Sequence, residues 1–365
     1  IWAVDHGANV INMSLGGCCG YFEPALRVLE YAHENNVTVV VAAGNDNRDT
    51  GTMYDGYIFS GYNRPISVAA INSRKNRSFY SNFGWQVDVA APGGGQNDSP
   101  VNAFCRHCSI LSLLSSNSEF TSYPRLILDD EGDLSRYLRI AGTSMAAPHA
   151  AGVAALILSL HPGISPATMR QIMQSSAQDL GPDGFDRHFG YGLVRADKAL
   201  NLAPNDVITL DLTMPYGVNG LLPRIQNLAI EGTVRGSNLT RWILRYRPHG
   251  TDAWTVIREG ANQIRGGVLA RWDTRNLQGI HDLMLTASNG QKWFTLSYNI
   301  AFPAPPPPPY LFAVGRNGNV YLGWIPSSDF VGYPISSYNV YRGARSDNKT
   351  LIATVNHNPL VGYQT

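Results

Sequence analysis

Residues 139–158 read RIAGTSMAAPHAAGVAALIL, and the reading of this stretch decides the fold. A small polar run, Gly142-Thr143-Ser144, leads into a segment rich in Ala and Leu. Such a composition predicts a helix over 144–160 that is apolar all round and therefore buried. Pro148 is expected in the first turn, where its missing N–H costs nothing. A hydroxyl at the start of a buried helix has two readings. It is an N-cap, or it is a nucleophile beside unpaired N–H groups that favour negative charge.

Working outward, residues 1–203 alternate strand-like and helix-like segments. VINMSL (10–15), TVVVAA (38–43), ISVAAI (66–71) and VDVAA (87–91) read as strands; 24–36, 166–176 and 194–202 read as helices. β-branched apolar runs such as TVVVAA are covered on both faces, so the fold class is α/β with a doubly wound, mainly parallel sheet. The functional crevice of such sheets lies at the carboxyl ends of the strands. Asn45 falls there, in VVVAAGNDN, where its side-chain N–H could serve an oxyanion; taken alone, Asn-Asp is also an ordinary turn pair. Ser14-Leu15-Gly16-Gly17 ends another strand, and Gly-rich strand ends let a peptide backbone approach.

Beyond about Ala203 the texture changes. Residues 205–302 alternate with period 2, with Trp242, Leu244 and Tyr246 on one face and Leu283, Leu285 and Ala287 on another. Gly-containing turns separate the runs, the signature of all-β sandwiches. FPAPPPPPY (302–310) reads as a polyproline II spacer, and VYLGW (320–324) and YNVY (338–341) as further strands. The expected organisation is 1–203, an α/β domain; 204–303, a β-sandwich; 304–309, a linker; and 310–365, a segment shorter than the ~100 residues of a sandwich domain.

The chain has 365 residues, 44% hydrophobic and 15% charged, with net charge +1. A large core can be buried, and nothing points to nucleic acid or an anionic membrane. No transmembrane segment or signal peptide is expected. IWAVDHGANV starts without Met and in mid-element, which reads as a chain cut at its N-terminus. Cys18, Cys19, Cys105 and Cys108 do not fit a common zinc-finger spacing, so disulfides or free thiols are expected, with three pairings open.

Six blocks, taken together, resemble the subtilisin-like serine peptidases, or subtilases: GANVINMSLGG, VVVAAGNDN, ISVAAINSRKNRSFYSNFG, VDVAAPGG, GTSMAAPHAAGVAALIL and FGYGLVRADKAL. They occur in the family's order over residues 1–203. The resemblance implies peptide-bond hydrolysis with Ser144 as acylated nucleophile and Asn45 as oxyanion donor. Ser14, Leu15 and Gly16 would pair with substrate backbone, and Gly142 and Thr143 would frame the nucleophile. Asp46 follows the oxyanion Asn, where a carboxylate would favour Lys or Arg before the cut; a solvated loop acid is the alternative.

The family's triad runs Asp, His, Ser along the chain, and the Asp and His blocks lie upstream of the helix in which this chain begins. Asp5-His6-Gly7 is a decoy in a helix-to-strand turn, and His149 matches a non-catalytic position. The chain as given is therefore expected to be inactive, with protein or peptide as the substrate of its parent. The segment 96–140 is longer than the family's usual connection and holds Cys105 and Cys108; either one or two disulfides brace a cleft-edge insertion, or the segment is a variable surface loop with incidental cysteines. No cofactor and no catalytic metal are expected; the family often binds structural calcium, with no ligand set readable here. The resemblance places the protein outside the cell. Residues 204–303 resemble immunoglobulin-like accessory sandwiches, and 310–365 an incomplete fibronectin type III domain, suited to contact with a cell surface or matrix. The competing reading is a decayed, peptidase-like adhesion protein.

Overall fold

A computed structural model describes residues 1–16, 23–50, 64–95, 108–115, 117, 137–213, 221–303, 310–316, 319–325, 337–345, 348–356 and 363–364. The elements run α1 (Trp2–Asp5), β1 (Val10–Met13), α2 (Glu23–Glu34), β2 (Thr38–Ala42), β3 (Ile66–Ile71), β4 (Val89–Pro92), β5 (Ile110–Leu113), β6 (Tyr137–Ile140), α3 (Thr143–Leu160), α4 (Pro166–Ser176) and α5 (Ala196–Ala199). Strands alone follow: β7 (Thr209–Thr213), β8 (Leu228–Arg235), β9 (Arg241–Pro248), β10 (Thr255–Gly260), β11 (Ile264–Trp272), β12 (Gly279–Ser288) and β13 (Trp293–Phe302). The last are β14 (Tyr310–Arg316), β15 (Asn319–Ile325), β16 (Ser337–Arg345), β17 (Asn348–Asn356) and β18 (Tyr363–Gln364). The expected linker 304–309 and most of 96–136 lie outside the described residues.

By packing, the chain divides into two units. The first comprises Ile1–Met214, Ala229–Trp272 and His281–Ile300. Its α/β layer is a parallel sheet in the order β1-β2-β3-β4. The buried run TVVVA explains why both faces are covered. Val39 and Val41 point to one side, where they pack with Leu29 and Ala32 of α2. Val40 and Ala42 point to the other, where they join Ala146, Ala147, Ala150, Ala154 and Ile157 of α3. This is the period-2 alternation of a strand read twice, once by each helix layer, and the doubly wound class follows from it. Alanines on α3 let it lie close to the strands. By length and a mean hydropathy of 1.4, α3 could cross a membrane; its packing on all four strands makes it a core helix instead.

The same unit holds two antiparallel sheets, β10-β9-β12-β13 and β11-β8-β7. β8 alternates buried and less buried residues along its length, as the sequence predicts. β12 does not alternate, because both its faces are buried from His281 onward. Trp272 is core, its ring centre 4.7 Å from that of Tyr246 at an interplanar angle of 52°; the Arg245 and Arg247 guanidiniums both lie over the Trp254 ring, at 4.9 and 4.5 Å.

The second unit comprises Pro215–Leu228, Asp273–Ile280 and Ala301–Thr365. It contains a β14-β15-β18 sheet and a β16-β17 hairpin. Buried Thr274 ties its turns together, with Oγ1 donating to Pro223 O at 2.7 Å and N–H to Ile225 O at 2.9 Å.

Candidate active site

At the carboxyl end of β2 the chain turns at Gly44, whose φ of 109° suits glycine. Asn45 follows, exposed. Its amide is held from the other side of the sequence. Thr143 N–H and Thr143 Oγ1 both donate to Asn45 Oδ1, at 2.9 and 2.8 Å. Thr143 Oγ1 also accepts from Gly44 N–H at 3.1 Å. With Oδ1 engaged twice, the donor end of the amide is left for another acceptor. A Cβ on Gly142 would stand 3.6 Å from Asn45 Nδ2, so glycine keeps the space beside that amide open.

The helix α3 starts one residue earlier than the sequence predicts, at Thr143, and its N-cap is Gly142. This corrects the N-cap reading of Ser144. The serine is the second helical residue, and its hydroxyl caps no backbone N–H. Pro148 is likewise not in the first turn. It sits inside the helix, where its missing N–H cannot bond the carbonyl four residues back, that of Ser144. The Ser14 hydroxyl supplies that donor instead, at 2.7 Å to Ser144 O, and accepts from Asn12 Nδ2 at 2.9 Å. A local defect in α3 thus becomes the attachment point for the end of β1. Leu15, 55% exposed, and Gly16, also exposed, continue beyond it.

Beneath the serine lies a second tether. Gly142 N–H donates to Gly93 O at 2.9 Å. Tyr80 Oη donates to Gly93 O and Gly94 O, both at 2.8 Å, and Ser78 Oγ to Gly94 O at 2.6 Å. A Cβ on Gly93 would lie 2.5 Å from Ala70 Cβ and 2.8 Å from Gly142 O, so only glycine fits. Burial pushes the Tyr80 phenol up to about 12, which keeps it a neutral donor. The sequence alone assigns no role to Ser78, Tyr80 or Asn82; their signal is the density of hydroxyl and amide groups just after a buried strand. Asn82 Oδ1 accepts from Asp46 N–H at 2.9 Å. Asp46 itself is exposed.

Ser14, Asn45, Gly142, Thr143 and Ser144 therefore converge from three separate segments. Among the described residues, no histidine or carboxylate hydrogen-bonds the Ser144 hydroxyl. Asp5 accepts from Tyr31 Oη at 2.6 Å, and His6 stacks on Trp2 at 4.1 Å. His149 Nδ1 meets Met145 O at 2.8 Å within its own helix. Cys108 is disulfide-bonded, and its carbonyl accepts from Gly95 N–H at 2.9 Å; the other three cysteines lie outside the described residues. Among the described residues, no group of three His, Cys, Asp or Glu side chains could hold a metal.

Comparison with known proteins adds to this geometry. Residues 1–192 match the sequence model of the Subtilase family. Subtilisin DY of Bacillus licheniformis is 35% identical over 199 residues, covering 54% of this chain and 59% of the relative. Fervidolysin of Fervidobacterium pennivorans is 34% identical over 205 residues, covering 55% of this chain and 26% of the relative. A solved lanthipeptide protease aligns at 29% identity with a TM-score of 0.45, over 54% of this chain and 62% of its own. The chain thus spans less than two thirds of the length of each.

Proposed function

This chain belongs to the subtilase family, and on that premise we propose that it carries the nucleophile and the oxyanion donor of a serine endopeptidase. The observation that carries the proposal is the Thr143 latch on Asn45 beside the uncapped Ser144 hydroxyl. Ser144 Oγ attacks the scissile carbonyl as its proton passes to the triad base; the C–N bond then breaks, the amine leaves with that proton, and Ser144 is left acylated. Asn45 Nδ2 and the first N–H groups of α3 stabilise the negative charge that develops on the carbonyl oxygen. Substrate backbone runs beside Ser14, Leu15 and Gly16, and Asp46 favours a basic residue before the cut. No cofactor takes part in these steps.

A serine hydroxyl needs a base, and no described residue supplies one. The triad Asp and His come from polypeptide other than the residues described here, and the chain by itself is inactive. Two features support this. The outer edge of β1 has no partner strand among the described residues. The outward face of α3 is apolar yet uncovered, with Leu156 at 47% and Leu160 at 54% exposure. Loss of a triad member costs subtilisin about a millionfold in kcat, so an active-site phosphonate should leave Ser144 unlabelled. Clear labelling at Ser144 would show that a base is already in place.

We also assign 204–303 to an immunoglobulin-like accessory sandwich and 310–365 to a partial fibronectin type III domain, on the antiparallel strands in both. With them goes an extracellular setting and a role in spacing or surface contact.

A further inference from the structure

The loop that carries Asn45 is built on a template. Asn82 Nδ2 donates to Ala43 O at 3.1 Å, and Asn82 N–H to Gly44 O at 2.9 Å. Asn82 Oδ1 accepts from Asp46 N–H and Arg48 N–H at 2.9 and 3.0 Å. Asn47 N–H donates to Tyr80 O at 2.8 Å, Phe83 N–H to Arg48 O at 2.9 Å, and Thr50 N–H to Phe83 O at 2.7 Å. From residue 43 to 50 the loop is thus bonded, almost residue by residue, to the segment 80–86.

The far end of that segment is gripped by the antiparallel strands of the same unit. Thr50 Oγ1 donates to Gln86 Oε1 at 3.0 Å. Gln86 Nε2 donates to Asn299 Oδ1 on β13. Asn299 Nδ2 donates to Asp282 Oδ1 on β12 at 3.1 Å. Asp282, 3% exposed, also accepts from Arg247 Nε on β9 at 2.8 Å. The Arg247 guanidinium lies 5.7 Å from the Trp85 ring centre, next to Gln86. Four residues therefore connect the buried polar centre of the sandwich to the loop of Asn45.

We propose that the sandwich is a positioning element for the candidate active site, with Asn299 as its contact residue: through Gln86 it holds the 80–86 template and so the Asn45 loop. The proposal rests on Asn45 being an oxyanion donor, a role that requires its amide to be held in place before charge develops. The accessory strands are then part of the peptidase, beyond any spacing or adhesive role.

Hydrogen exchange of the whole chain, read by mass spectrometry, tests this. Asn299→Leu removes the sandwich's bond to Gln86. Exchange of the peptide covering 44–50 is expected to rise about tenfold, as for one buried hydrogen bond left unmade, while the peptide covering β2 stays unchanged. Asn299→Ser also removes the bond to Gln86 while leaving the Thr50–Gln86 bond in place, and is expected to give the same local rise, which keeps the test usable if Asn299→Leu does not fold. Asp211→Asn breaks a different contact between β7 and the α/β layer and is expected to leave 44–50 unchanged. Unaltered exchange at 44–50 in the folded Asn299 variants overturns the proposal, as does a rise shared with β2 or with Asp211→Asn. The readout involves no turnover, so failure of the coupling and failure of the oxyanion assignment are seen separately.

Discussion

The two ends of the parallel sheet are built on opposite principles. At the amino ends the chain buries charge and pairs it. Arg64, just before β3, bonds Glu30 of α2 at 2.8 Å and Asp211 of β7 at 2.6 Å. Asp88, just before β4, accepts from Ser67 N–H and Gln174 Nε2, both at 2.8 Å, and faces Arg170 at 3.2 Å. Burial pushes the Asp88 carboxyl up, against the pull of Arg170 and these donors. At the carboxyl ends there are no such pairs around Ser144 among the described residues. Glycines 44, 93, 94 and 142 bring backbones together, and neutral hydroxyls and amides hold them. Cohesion is concentrated at one end, and the other keeps donors and a hydroxyl available to a ligand. The open end is the one at which the crevice of an open α/β sheet lies.

The comparison can be broken most directly at Asp88. Asp88→Ala removes the carboxylate that faces the buried Arg170 and strips Ser67 N–H and Gln174 Nε2 of their acceptor, and should cost about 3 kcal/mol in urea unfolding; a loss below ~1 kcal/mol would mean that the amino end is not where cohesion lies. Next in size is the contrast across α3. Ile157→Ala, on the fully buried inner face, should cost about 3 kcal/mol, whereas Leu156→Ala on the outer face should stay within about 0.5 kcal/mol. Equal losses would show that the outer face is covered after all.

A pH series sharpens the same contrast. Burial alone would raise the Asp211 carboxyl, but the His33 hydrogen bond and the Arg64 charge outweigh it and bring it to about 2. Its ordinary value is about 3.9, so the folded state resists protonation. The resulting ~2 kcal/mol of stability is fully present above about pH 4 and lost as pH falls through about 2. Asp211→Asn should flatten the acid limb of a stability–pH curve; an unchanged limb would remove Asp211 from the account. The smallest effect belongs to the open end. Ser144→Ala should change unfolding free energy by no more than about 0.5 kcal/mol, because its hydroxyl caps nothing.

Much of this was legible along the chain. TVVVAA could only be a strand covered twice, and the Ala-rich run after Gly142-Thr143-Ser144 could only be a close-packed helix. The helix predicted over 166–176 matches α4, whose start is fixed by Ser165 as N-cap, accepting from Thr168 N–H, and by Pro166 in the first turn. Asn45 stood out because it follows a buried strand. Other features were not legible. Pro148 is expected in the first turn because nothing local says that Ser14, 130 positions before Ser144, supplies the donor to the Ser144 carbonyl. Tyr80 and Asn82 carried no motif that distinguished them from loop residues. The alternation expected in β12 failed because burial of both faces depends on what packs there.

The sequence by itself therefore determined the periods, the order of the elements and the types of residue at the carboxyl ends of the strands. These are properties of neighbours, and backbone sterics and side-chain polarity act between neighbours. Only the tertiary structure decided that Thr143 grips Asn45 from 98 positions away, that Ser14 completes the carbonyl Pro148 leaves open, and that Asn299 reaches Gln86 across 213. Hydrogen bonds are short and directional, so which distant donor meets which acceptor is settled by how the layers pack and by no pattern within any one of them.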